Sequence, residues 1–314
     1  MLTSNAVPVT SRASDTVPAR IGTQTDILGE SPLWDERAQC LYWVDIRRPA
    51  LRRYRPADGR VDTWPLPDLA GSIALTDDNR LLVALPQQIV VFDPASAALE
   101  PFVSPPDHRA GHRFNDGRCD NRGRFWVGTM HNLTRAAEGV LYRLEGRGPM
   151  VAVRQGVCIP NSLAFSPDGT RMYFADSLQH TIYQHDYDPV TGEPGAPQPF
   201  FRSAPPAFPD GSAVDEAGYV WNAEFHGARL VRISPSGEID RVVEMPVKRP
   251  TCCAFGGADF RTLYVTSTSQ NMSEADRAAD PLAGALFALR VDVRGLPERR
   301  FAMSGQLERS DEHA

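Results

Sequence analysis

The chain has 314 residues, of which 42% are hydrophobic and 23% charged, and it carries 24 glycines and 27 prolines. That composition excludes a wholly disordered polymer, and so many chain breakers argue against a mainly helical one. A net charge of −6 leaves no basic surface to attract nucleic acid.

In chain order, residues 1–20 are polar and rich in Ser, Thr and Pro, and read as a flexible N-terminal arm with no apolar core of a signal peptide. No later stretch reaches the ~18 apolar residues that cross a bilayer, so a cytoplasmic protein without a membrane partner is expected. Short apolar strands then recur at Leu41, Leu81, Phe125, Met172, Tyr219 and Leu263, starting 40 to 47 residues apart. Each follows a turn such as TDDNR, DNRGR or SPDGTR, where Gly, Asn and Asp accept tight backbone geometry. A second strand follows each one, beginning at Leu51, Ile89, Leu141, Ile182, Leu230 and Leu286. Six such units predict an all-β protein, a six-bladed β-propeller over residues 21–302, because one unit cannot bury both faces of its sheet alone. Residues 273–281 are expected to form one short helix, and residues 303–314 a polar C-terminal tail.

The five cysteines (Cys40, Cys119, Cys158, Cys252 and Cys253) contain no C-x-x-C pair, which predicts reduced thiols. P-loop, dinucleotide-binding, nucleophile-elbow and H-E-x-x-H motifs are all absent. His108 and His112 sit beside Pro106 and Gly111 and read as loop residues.

Four polar segments precede apolar strands: Gly29-Glu30-Ser31-Pro32, Arg113-Phe114-Asn115-Asp116-Gly117, Pro160-Asn161-Ser162 and Pro209-Asp210-Gly211. Singly, each could be a turn; Asn-Asp-Gly and Pro-Asp-Gly are common turn sequences. Glu30, Asn115, Asn161 and Asp210 are separated by 85, 46 and 49 residues, about two, one and one repeats. The same phase in the repeat places them at the same end of a propeller channel. Their oxygens are hard donors suited to a divalent ion such as Ca²⁺, Mg²⁺ or Mn²⁺, and a nearby arginine can orient an anionic or hydroxylated substrate.

LGESPLWDERAQCLYWVDI, RFNDGRCDNRGRFWVGTM, IPNSLAFSPDGTRMYFADS, FPDGSAVDEAGYVWNA and PTCCAFGGADFRTLYVTS resemble the gluconolactonase/regucalcin (senescence marker protein) family, in order and spacing, from about residue 25 to 300. The resemblance implies metal-dependent hydrolysis of a sugar (aldono-) lactone to the aldonic acid, with a small-molecule sugar lactone as partner. Arabinono-, xylono-, galactono- and gluconolactone are all candidates. It implies that Glu30, Asn161 and Asp210 hold one divalent cation (Ca, Zn, Mn, Fe or Mg) and that Arg113 and Asn115 contact substrate. Gly128-Thr129-Met130 is followed by His131, as in bacterial sugar-acid relatives, where animal relatives carry an acid shortly after; His131 is therefore a further expected substrate contact. In the mechanism this suggests, the cation polarises the lactone carbonyl and Asp210 is general base on the attacking water. The alternatives are a calcium-binding propeller without catalysis, a propeller hydrolase of other esters, and an interaction scaffold.

Overall fold

A computed structural model describes residues 17–107 and 109–305. After a short first strand, β1 (Ala19–Ile21), the chain lays down its blades in sequence. Blade one is β2 (Gly29–Asp35), β3 (Cys40–Asp45), β4 (Ala50–Arg55) and β5 (Arg60–Pro65). Blade two is β6 (Ser72–Leu75), β7 (Leu81–Leu85), β8 (Gln88–Phe92) and β9 (Leu99–Val103). Blade three is β10 (His112–Cys119), β11 (Phe125–His131), β12 (Gly139–Leu144) and β13 (Val151–Val157). Blade four is β14 (Pro160–Phe165), β15 (Arg171–Asp176) and β16 (Thr181–Asp188), with β17 (Glu193–Pro194) and β18 (Gln198–Arg202) both paired to β16. Blade five is β19 (Phe208–Val214), β20 (Val220–Phe225), β21 (Arg229–Ile233) and β22 (Ile239–Glu244). Blade six is β23 (Pro250–Gly256), β24 (Thr262–Ser267) and β25 (Leu286–Arg290). The fold is thus the expected six-bladed β-propeller.

The strands read from the sequence are the second and third of each blade. The second strands carry apolar runs, such as Leu41–Val44 in β3 and Leu81–Leu85 in β7, because alternate residues face different apolar neighbours. In β3, Tyr42 and Val44 join a core with blade two, while Leu41 and Trp43 join a core with blade six. Comparable apolar clusters fill the gaps between the other successive blades. Two of the tryptophans in this packing keep polar partners: Trp43 Nε1 donates to Asp26 Oδ2 (2.7 Å) and Trp221 Nε1 to Asp215 Oδ2 (3.1 Å).

The ring closes through both ends of the chain. β1 pairs with β25, Ile21 opposite Leu286, and so supplies the outer strand of blade six. The propeller therefore begins at Ala19, two residues before its expected boundary. Residues 1–16 of the predicted arm lie outside the described residues, as do 306–314 of the predicted tail.

After β25 the chain runs as an irregular strap across the ring. Gly295 bridges to Asp215 of blade five, and Glu298 pairs with Arg118 of blade three. Arg300 pairs with Asp35 and Glu36 of blade one, and Phe301 bridges to Thr76 of blade two. These partners all lie at or beyond the C-terminal ends of innermost strands. The strap therefore bars one end of the channel. The expected short helix is α1 (Glu274–Ala279), started by Ser273, whose side chain forms a capping box with Asp276.

Candidate active site at the open end of the channel

Glu30, Arg113, Asn115, Asn161 and Asp210 all line one cavity of about 620 Å³. They come from the innermost strands of blades one, three, four and five, as their common phase predicted. In β2, five residues at ~3.3 Å each put roughly 17 Å between Glu30 and the strap-bound Asp35.

The turn-like motifs are not turns. Each lies inside its innermost strand, where the register with the second strand slips by one residue: between Glu30 and Leu33, Phe114 and Gly117, Asn161 and Ala164, and Pro209 and Ser212. Such a bulge adds one residue, bends the strand and re-aims a side chain. Ser31 and Ser162, beside Glu30 and Asn161, take positive φ values of 52° and 57°, a strained conformation for serine. The glycine after Asp210 serves a different purpose. A Cβ on Gly211 would meet Cys252 Sγ at 2.2 Å, so glycine is needed for blades five and six to approach.

A chain of hydrogen bonds fixes the amides. Ser177 Oγ, just after β15, donates to the Pro209 carbonyl (2.7 Å), which can only accept. Ser177 Oγ must then accept from Asn161 Nδ2 (2.8 Å), which turns Asn161 Oδ1 the other way. There Oδ1 accepts from Asn115 Nδ2 (2.8 Å), which also donates to the Pro160 carbonyl (2.9 Å). Asn115 Oδ1 in turn accepts from Arg113 Nη1 (2.7 Å), and Arg113 Nε donates to Asn132 Oδ1 (3.1 Å). The sequence runs across blades five, four and three. It leaves Asn161 and Asn115 each one carbonyl lone pair free of these partners.

The site is electrostatically loaded. Burial first, and the negative charge of Asp116 second, push the Glu30 carboxyl up to about 8. Burial, with Glu30 and Asp116, also drives Asp210 well above the usual carboxylate range. Burial lifts Asp116 to about 6 against the opposing pull of Arg118, and its Oδ2 accepts from Leu163 N (2.8 Å). Burial, helped by the neighbouring Arg47, lowers Arg113 to about 10. Carboxylates that raise one another's proton affinity in a buried site lack countercharge, and a divalent cation supplies it. Among the described residues no three His, Cys, Asp or Glu side chains form a ligand cluster. The donors on offer are two carboxylates and the oriented amide of Asn161, an all-oxygen set that fits a hard divalent ion.

His131 does not line the cavity. It is the last residue of β11, opposite His112; its Nδ1 accepts from Leu133 N and Thr134 N, and its ring packs edge-on to His112. Asn132, one residue on, lines the cavity instead. Ser177, Arg47, Arg249, Gln270 and His226 also line it and were not singled out from the sequence. Ser177 ends the YFADS motif and could have been found there; the others lie in or beside loops and carry no motif of their own.

Comparison with known proteins matches residues 28–269 to the family model described as "SMP-30/Gluconolactonase/LRE-like region". The chain is 39% identical over 281 residues to a 6-deoxy-6-sulfogluconolactonase of Pseudomonas putida, covering 89% of this chain and 96% of that protein. It is 40% identical over 281 residues to an L-arabinolactonase of Azospirillum brasilense, covering 88% and 92%. The crystal structure of a calcium-binding protein, regucalcin, from Agrobacterium tumefaciens superposes with a TM-score of 0.87 at 29% identity, covering 91% and 97%.

Proposed function

We propose that this chain, which belongs to the SMP-30/gluconolactonase/LRE-like family and is a sugar lactone hydrolase, opens an aldonolactone to its aldonic acid with one divalent cation held by Glu30, Asn161 and Asp210. The observation that carries the reading is the meeting of these three side chains, from blades one, four and five, at one cavity, where the charge of Glu30 adds to burial in raising the proton affinity of Asp210.

When bound, the cation supplies Lewis acidity and positive charge for hydrolysis of an ester carbonyl. The chain's own groups do the rest. Asp210 takes a proton from water as the water oxygen bonds to the lactone carbonyl carbon. The ring C–O bond breaks, the proton passes from Asp210 to the departing ring oxygen, and the new carboxyl group releases the second proton of the water to solvent, leaving a hydroxyl and a carboxylate on one product. Arg113, anchored by Asn115 and Asn132, presents its remaining donors to the ring hydroxyls or the carbonyl. Asn115 keeps a lone pair for a substrate hydroxyl. Positioning of this kind is worth most where reacting atoms are held near contact distance. His131 has no part in this reading, and Asn132 takes its place beside Arg113.

The test is a panel of neutral aldonolactones, followed by proton release, with chelated protein and single divalent salts added back. Activity lost on chelation and restored by one cation is expected. Full activity in chelated protein overturns the metal role. Tight cation binding with no turnover on any lactone favours a cation-binding propeller instead, the role suggested by the description of the regucalcin neighbour.

A further inference from the structure

We propose that the mouth of this cavity binds an anionic substituent of the lactone, a carboxylate, sulfonate or phosphate carried away from the reacting carbonyl, through Arg47 and Arg249; the proposal rests on the lactonase reading above.

Most buried arginines in this protein are neutralised by a carboxylate. Arg52 pairs with Asp26, Arg118 with Glu298, Arg124 with Asp120, Arg232 with Asp215 and Arg300 with Asp35. The arginines that line the cavity are different. Among the described residues Arg47, Arg113, Arg135 and Arg249 make no ion pair, and all four line the same wall or rim. Four guanidiniums gather at one opening of a chain whose net charge is −6.

Two of them are held in place by one residue. Gln270 Oε1 accepts from Arg47 Nε (2.9 Å), and the Gln270 backbone carbonyl accepts from Arg249 Nη1 (2.7 Å). Gln270 is itself tied down, its N–H donating to Thr268 Oγ1 (2.9 Å), which donates to the Ile27 carbonyl (2.6 Å). A neutral amide thus draws two like charges together and neutralises neither. Both terminal nitrogens of Arg47, and Nε and Nη2 of Arg249, remain without a hydrogen bond among the described residues. Arginine forks of this kind match the paired oxygens of a carboxylate, sulfonate or phosphate.

Neighbouring groups report the same field. Arg249, Lys248 and Arg135, after burial, lower the His226 imidazole, and Arg47 helps to lower Arg113. The acids at this opening do not cancel it. Asp276 lies within electrostatic reach of Arg249 and Lys248, but its carboxylate is engaged with Ser273 at the start of α1; Asp280 accepts from Lys248 N (2.9 Å). Glu30 and Asp210 lie deeper, where the cation is proposed to sit.

The experiment compares the cation-loaded protein on D-glucono-lactone and on the same lactone bearing a 6-phosphate, a 6-sulfonate or a 6-carboxylate. The charged forms are expected to have at least tenfold higher kcat/KM. Raising salt from ~20 to ~300 mM should shrink that ratio severalfold. Arg47→Gln and Arg249→Gln, each checked for an unchanged melting curve, should each lower the charged-to-neutral ratio by about tenfold. The arm with the highest ratio names the anion. A ratio near one, or one that neither variant moves, overturns the proposal while lactonase activity stands. Calorimetry with 6-phosphogluconate against gluconate reads the anion site without turnover. Equal affinities overturn the proposal even if no lactone is opened, whereas a preference for the phosphorylated acid lost in both variants supports it independently of the lactonase reading.

Discussion

Ser177→Ala removes one oxygen and disconnects two blades. The lost hydroxyl leaves the Pro209 carbonyl without its donor and Asn161 Nδ2 without its acceptor, both in buried surroundings. Each orphaned group costs about 1–3 kcal/mol. Because the cavity lies alongside and can admit water, the lower end applies, and the total comes to about 2 kcal/mol. With ~2 cal/mol/K of unfolding entropy per residue, a chain of this length should melt roughly 3 °C lower. The functional loss should be larger than the structural one. Without Ser177 the Asn161 amide is free to rotate and can turn its NH₂ toward Asn115 and the proposed cation. Removal of such an orienting partner costs about 10–100-fold in metal affinity or activity. The assay is a titration of chelated protein with Mn²⁺ or Ca²⁺, reading half-saturation of lactonase activity, beside thermal melts with chelator present. Ser177→Thr, which keeps a hydroxyl, should restore most of both losses. If Ser177→Ala half-saturates at the wild-type concentration while melting lower, the serine supports only the fold and the orientation argument fails.

Two further perturbations test other groups. Asp210→Asn should leave the melting curve of a folded propeller but reduce kcat by ~10²–10⁴, the usual worth of a general base; unchanged turnover would show that the proton goes elsewhere. Asp26 is buried against Arg52 Nε (2.7 Å) and Trp43, yet burial outweighs the arginine and lifts its carboxyl to about 6. The unfolded chain releases this proton near pH ~4, so between about pH 4 and 6 the native state holds a proton that the unfolded state has lost. Native stability attributable to Asp26 therefore falls as pH rises through that window, by roughly 3 kcal/mol in all. Asp26→Asn should flatten the slope of urea midpoints between those pH values, and an identical slope in the variant would remove Asp26 as its source.

The blade strands were legible because burial on both faces leaves an apolar run such as Leu41-Tyr42-Trp43-Val44 with a polar turn before it. The channel residues were legible for a different reason: bulged innermost strands need Gly, Pro and Ser beside the polar side chain they re-aim, which gives four short motifs in phase. The same composition disguised them as turns, since nothing in Pro-Asp-Gly says that the glycine is there to clear Cys252. His131, at the end of β11, lies one position from Asn132, which lines the cavity where His131 does not, because alternation sends neighbouring side chains to opposite sides. β1 was hidden because three residues, Ala19-Arg20-Ile21, are too few to show a period. The mouth arginines were hidden because they lie outside the repeated motifs, and their significance is the absence of a carboxylate partner among the described residues, which only three dimensions reveal.

The strap from Val291 to Ala302 turns a tube into a vessel with a floor. Water, sugar and spent acid must then share one doorway. Hydrolysis converts an ester into a carboxylate, so every cycle ends with a more negative molecule leaving past guanidiniums that attract it. If the mouth arginines hold anions as proposed, retention of that molecule would link the rate of the next cycle to how much acid has already accumulated.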